Sequence, residues 1–377
     1  MIFRTLTPTL GVVLGTSFAT ALAVFTVLKL SPSRRAIPSP RESQIPYMSK
    51  EERDALPYPP DILPGARDVT SPYGTMRVYE WGPETGRKVV LIHGISTPCI
   101  ALSNIAHGLA ATGCRVILFD LFGRGYSDSP SLPHDSRLYA TQILLAVTSS
   151  PLAWTPGGFS LIGYSLGGGI AADFAASFPE MVKAVVLLAP AGLIRPRHFG
   201  WQSRLLYSGL LPDAWLEWLV RERLGGGPAV RPGTTLGTSE NPSLGDDVEG
   251  DRDPRFESAV LTQSRPGSTV ANVVQWQLEH HRGFVRSFVS SMMFSTIEGP
   301  RPLWRALGER VGRVLILAGE EDPVIRAGEL REDAEDAIGK ERIDFRIVAG
   351  GGHEFPITMP AVVIREVSEF CGLHLQG

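Results

Sequence analysis

The sequence predicts an α/β protein built on a doubly wound, mostly parallel sheet with helices on both faces. Three features carry that expectation. From residue 62 onward, short apolar runs alternate with longer helical patterns, the mark of α/β layering. The runs are continuously apolar, which suits parallel strands covered on both sides. The alternation then stops between residues 190 and 313, as a segment inserted after one strand would make it.

Composition narrows the function. Lys+Arg number 36 against 39 Asp+Glu, a formal net charge of −3, so the basic excess of a nucleic-acid binder is missing. A hydrophobic fraction of 43% in 377 residues allows a sizeable core and excludes wholesale disorder. Cys99, Cys114 and Cys371 stand far apart, with no CxxC pair and no zinc-ligand spacing. Neither a disulfide framework nor a structural zinc is expected. The 40 Gly and 30 Pro follow no period, which excludes collagen and repeat arrays.

In chain order, residues 5–28 come first and carry no charge. As a helix at about 1.5 Å per residue they would cross a hydrocarbon core of roughly 30 Å. Residues 1–30 are therefore expected to form a transmembrane anchor. A signal peptide cleaved near Ala21-Leu22-Ala23 is the alternative. Lys29, Arg34, Arg35 and Arg41 follow the span while Arg4 precedes it. The positive-inside bias then places the globular part in the cytosol, with the secretory pathway as the alternative. Proline-rich residues 31–61 read as an extended linker.

Strands are expected at 76–81, 88–93, 115–120, 159–163, 184–188, 313–318 and 345–348, with helices at 102–111, 139–147, 166–177 and 361–370. The core so drawn occupies 62–190 and 306–377. Residues 191–305, with aromatic helical segments and a Gly/Pro/Asp-rich stretch at 225–254 expected to be a mobile loop, read as a helical lid. Five tryptophans (Trp201, Trp215, Trp218, Trp276, Trp304) make an apolar substrate plausible, although such spacing is more often lid core. In a doubly wound sheet the ligand crevice lies beyond the carboxyl ends of the strands.

The chemistry-bearing residues fall at those ends. Gly163-Tyr164-Ser165-Leu166-Gly167 follows an apolar run and opens a helical one. Glycines two before and two after a serine relieve the crowding of a tight strand-to-helix turn, which marks Ser165 as a nucleophile. A serine hydroxyl needs a base, and the base an orienting acid. His353, in Gly350-Gly351-Gly352-His353-Glu354 after the last run, is the expected base. Gly319-Glu320-Glu321-Asp322-Pro323 offers the acid, Asp322 first and Glu320 as the fallback. Oxyanion donors are expected at the N–H of Leu166 and of Ile95, the latter in the loop His93-Gly94-Ile95-Ser96, with His93 bracing that loop.

Together these pieces, with Asp120-Leu121-Phe122-Gly123-Arg124-Gly125-Tyr126-Ser127, resemble the α/β-hydrolase superfamily and run in its order from about residue 69 to 373. The resemblance implies an eight-stranded sheet, a variable lid after the sixth strand, and a Ser165/Asp322/His353 triad that needs no metal or organic cofactor. It gives Asp120 a bordering place and no catalytic one. Anchor plus linker also resembles membrane-bound monoacylglycerol lipases. The expected function is hydrolysis of a small-molecule carboxylic ester with an apolar acyl group. The alternatives are a tailoring hydrolase, including carbon–carbon cleavage, and a non-catalytic binder on the same fold.

Overall fold

The apolar runs condense into one sheet. In the computed structural model, which describes residues 36–198, 205–208, 210–225, 253–297 and 301–373, its strands are β1 (Ala66–Ser71), β2 (Gly74–Trp81), β3 (Arg87–Ile92), β4 (Cys114–Phe119), β5 (Phe159–Tyr164), β6 (Val182–Leu188), β7 (Val314–Gly319) and β8 (Ile343–Val348). Their spatial order is β8-β7-β6-β5-β3-β4-β2-β1. The β1/β2 and β2/β4 pairings are antiparallel. All others are parallel.

The middle strands have little choice of side. Every residue of β7 is buried, as are the last four of β3, β4, β5 and β6, so helices must cover both faces. Helix α1 (Ser103–Ala111) packs against α9 (Pro360–Cys371), and α2 (Ser136–Thr148) against α3 (Leu166–Ser177). The Asp135 carboxylate caps α2 by accepting from the N–H groups of Arg137 and Leu138, two donors that a helix start leaves open. Strand β1, Ala-Arg-Asp-Val-Thr-Ser, alternates exposed and half-buried positions at the sheet edge. Sequence reading passed over it because an edge strand needs no apolar run.

Between β6 and β7 the chain inserts α4 (Asp213–Leu224), a short helix Pro254–Ser258, α5 (Val270–His280), α6 (Phe284–Phe294) and α7 (Arg301–Glu309). Helix α7 packs on α3 and on α8 (Ala327–Ile338), which runs between β7 and β8. Polar contacts fasten the insertion to the segment after β4 and to α2. His281 Nε2 donates to Ser127 O at 2.9 Å, Ser287 Oγ lies 2.6 Å from Ser129 Oγ, and Tyr139 OH 2.7 Å from Ser291 Oγ. Burial pushes His281 down to about 4, so it is neutral near pH 7. Trp276 and Trp304 are buried, whereas Trp215 and Trp218 are exposed. The expected loop at 225–254 lies almost wholly outside the described residues, as does Trp201.

Two expectations for the amino-terminal side need correction. Among the described residues no helix is long and apolar enough to cross a membrane. The transmembrane assignment, and the single-pass membrane localisation drawn from it, are not upheld, and residues 1–35 lie outside the described residues. Nor is the extended linker found from Ala36 on, because residues 36–61 belong to the same compact unit as the sheet. Ala36–Ile37 pairs antiparallel with Ser129–Pro130. Ser39 N donates to Asp128 Oδ1 at 2.8 Å. Ser49 and Glu52 form a reciprocal capping box on helix Lys50–Ala55, and Tyr58 is fully buried. Prolines here shape turns against the core; composition alone cannot tell them from the prolines of a spacer.

Candidate active site

Strand β5 ends at Tyr164 and α3 begins at Leu166, leaving Ser165 alone to turn the chain. It does so at φ 54° and ψ −119°, a backbone region that costs a side-chain-bearing residue on the order of 1–3 kcal/mol. The flanking glycines are sterically required. A Cβ on Gly163 would stand 2.1 Å from the Gly167 carbonyl oxygen, and one on Gly167 2.2 Å from that of Ile92. Backbone bonds hold the turn: Ser165 N donates to Leu188 O at 3.0 Å, and Ala191 N to Ser165 O at 2.9 Å.

Three side chains from distant parts of the chain meet here. His353 Nε2 lies 3.0 Å from Ser165 Oγ, and His353 Nδ1 lies 2.8 Å from Asp322 Oδ2. An ionised carboxylate only accepts, so Nδ1 carries the proton and Nε2 is left to accept from the serine. Asp322 Oδ1 accepts from the N–H groups of Val324 and Ile325, both at 2.8 Å. Every carboxylate oxygen is thus occupied, and the group has one orientation. Tyr164 OH donates to His353 O at 2.9 Å, and the Tyr164 and Phe256 rings lie 5.4 and 6.2 Å from the imidazole.

The neighbouring acids are spent elsewhere. Glu320 Oε2 accepts from Gly350 N at 2.9 Å, bracing the histidine loop from outside. Glu321 pairs with Arg255 at 2.7 Å on the surface. The fallback acid Glu320 therefore does not meet the imidazole.

The side of Ser165 toward residue 94 is built by β3 and β5, which are hydrogen-bonded neighbours. A Cβ on Gly94 would lie 3.4 Å from the Ser165 Cβ, so the loop after β3 runs directly beside Ser165. Leu166 opens α3 on the other side, where first-turn N–H groups lack intrahelical partners. His93 fixes the loop, taking a bond from Leu121 N on Nε2 and giving one from Nδ1 to Gly94 O, both 2.8 Å. Burial lowers its pKa to about 3, so it stays neutral.

Two further residues hold this loop, and sequence reading missed both roles. The buried Arg124 guanidinium donates through Nε to Ile95 O at 2.9 Å and through Nη2 to Ser291 Oγ at 3.0 Å. Gln277 of α5, also buried, donates to Ser96 O and accepts from Gly125 N, each at 2.9 Å. Arg124 sits inside the Asp120–Ser127 motif, yet its direction could not be read; Gln277 carried no signal. Asp120 itself anchors the turn, accepting from Cys99 N and Tyr126 N at 2.9 Å and from Tyr58 OH at 3.1 Å. Burial raises its pKa. Among the described residues no group of three or more His, Cys, Asp or Glu is placed to hold a metal ion.

Strand order, insertion and elbow define an α/β-hydrolase. Residues 88–360 match the family profile of the alpha/beta hydrolase fold, and the chain belongs to that family. It is 35% identical over 145 residues to a serine hydrolase-like protein of Dictyostelium discoideum, a match covering 36% of this chain and 39% of that one. It is 34% identical over 126 residues to a serine hydrolase-like protein of Danio rerio, covering 33% and 37%. These matches thus span well under half the length of either relative. The fold resembles the crystal structure of a membrane phospholipase A described as a bacterial virulence factor, with a TM-score of 0.57, 18% identity and 97% of both chains covered.

Proposed function

We propose that this chain is a serine hydrolase that cleaves a carboxylic ester through an acyl-enzyme on Ser165. The observation that carries the reading is the 3.0 Å approach of Ser165 Oγ to an imidazole nitrogen whose other nitrogen is held at 2.8 Å by Asp322. Ser165 Oγ attacks the ester carbonyl while its proton passes to His353 Nε2, and Asp322 stabilises the imidazolium. The N–H groups of Leu166 and Ile95 receive the oxyanion, a contribution of about 3–4 kcal/mol per donor. His353 returns the proton to the departing alcohol oxygen as the carbonyl C–O bond breaks. Water, deprotonated by His353, then attacks the Ser165 ester, releases the carboxylic acid and restores the hydroxyl. The inserted helices act as a lid over this site.

The test is covalent labelling with a fluorophosphonate probe alongside hydrolysis of short acyl esters. Wild type is expected to label at Ser165 and to turn over. Ester turnover undiminished in Ser165→Ala would remove the proposal.

A further inference from the structure

A cavity of about 260 Å³ lies between α4 and α5, near the oxyanion loop. Its buried walls are Val220, Val270, Phe256 and Phe288, and Ser96 reaches it from the loop that carries Ile95. Its polar lining, Arg223, Glu257, Asn272 and Gln275, is half-buried or exposed and so marks the mouth. Phe256 belongs to both places. It lines the cavity, and its ring lies 6.2 Å from that of His353.

We propose that this cavity receives the distal part of a linear, apolar acyl chain, and that Phe256 sets the fit between it and Ser165. The proposal rests on the serine-hydrolase reading above. Size supports it: an apolar cavity of about 150 Å³ takes up benzene, so 260 Å³ corresponds in proportion to roughly ten carbon atoms. The acyl half stays on the enzyme through both half-reactions, whereas the alcohol leaves after the first. A subsite with a buried apolar wall therefore suits the retained half, and Ser96 puts the inner end beside the loop that carries Ile95.

Two ester series on the full chain test this, p-nitrophenyl esters of graded acyl length and acetates of graded alcohol length. In the first, kcat/KM should rise by up to about fourfold per methylene and level off near ten carbons. Val274→Phe narrows the cavity and should lower the decanoate-to-acetate ratio at least tenfold; Phe256→Ala should raise the same ratio. Ala271→Trp, at an exposed lining position, repeats the narrowing without disturbing the core. A ratio within twofold of wild type in all three variants, or length dependence in the alcohol series instead, overturns the subsite while ester turnover leaves the hydrolase reading standing. No turnover of any ester and no fluorophosphonate labelling would sink both.

Discussion

Asp322 holds His353 with one oxygen and is itself held by the other. Its Oδ2 meets Nδ1 at 2.8 Å while Oδ1 takes the N–H groups of Val324 and Ile325. An amide in its place could present an N–H to Nδ1 and reverse the imidazole tautomer, leaving Nε2 unable to accept from Ser165. Asp322→Asn should therefore lower kcat on a short ester by about 10³–10⁴-fold. Glu320→Gln and Glu321→Gln should stay within a few-fold of wild type, although all three acids are consecutive in sequence. A large loss in either glutamine variant and none in Asp322→Asn would reassign the acid.

Gln277 joins the inserted helix α5 to two loops of the core. Gln277→Leu leaves Ser96 O and Gly125 N without their bonds, and a buried unsatisfied group costs about 1–3 kcal/mol. The expected result is a kcat lowered about tenfold or more with a smaller change in KM, since Ile95 loses its fixed neighbour. Gln277→Glu keeps the acceptor for Gly125 N but not the donor for Ser96 O, and should be intermediate. Steady-state kinetics on a short ester, with a melting curve for each variant, checks both.

Asp173 on α3 makes stability depend on pH. Burial raises its pKa to about 6 from 3.8, while Ser136 Oγ donates to Oδ2 at 2.6 Å. The folded state holds this proton more tightly than the unfolded one, so stability is lost as pH rises from about 4 through 6, by about 3 kcal/mol in all. Asp173→Asn lacks that loss. Its advantage over wild type in urea unfolding should grow between pH 4 and pH 8 and should not shrink.

The glycines of the site separate packing from chemistry. Gly167→Ala drives a Cβ to 2.2 Å from Ile92 O and should cost at least about 3 kcal/mol, visible as a large drop in Tm. Gly94→Ala meets the Ser165 Cβ at 3.4 Å and two Tyr164 ring carbons at 3.6 and 3.7 Å, all ordinary contacts. It should fold with a Tm within a few degrees of wild type, yet slow the reaction by crowding the nucleophile.

The fold and the meeting of Ser165, Asp322 and His353 could be read from the sequence because each rests on a local rule. Continuous apolar runs become buried strands, and Gly-x-Ser-x-Gly marks a turn whose two flanking positions only glycine can fill. Strand β1 escaped because its edge position needs no apolar run, and the residues before it because their partners lie far along the chain: Ser39 bonds Asp128 and Tyr126, and Tyr58 packs on Trp276 at 6.0 Å. The same holds for Arg124, Gln277 and Phe256. Nothing within a few residues of any of them says which carbonyl or ring it will face.

The placement of Tyr58 has a practical corollary for anyone trimming this polypeptide. Its hydroxyl faces Asp120, and Tyr126 OH donates to its carbonyl. Cutting at residue 62, where the first regular pattern begins, would strip a plug from beneath the turn that steadies Arg124. A product starting at Ala36 keeps the plug, so the shortest polypeptide worth purifying begins some 25 residues earlier than its hydropathy suggests.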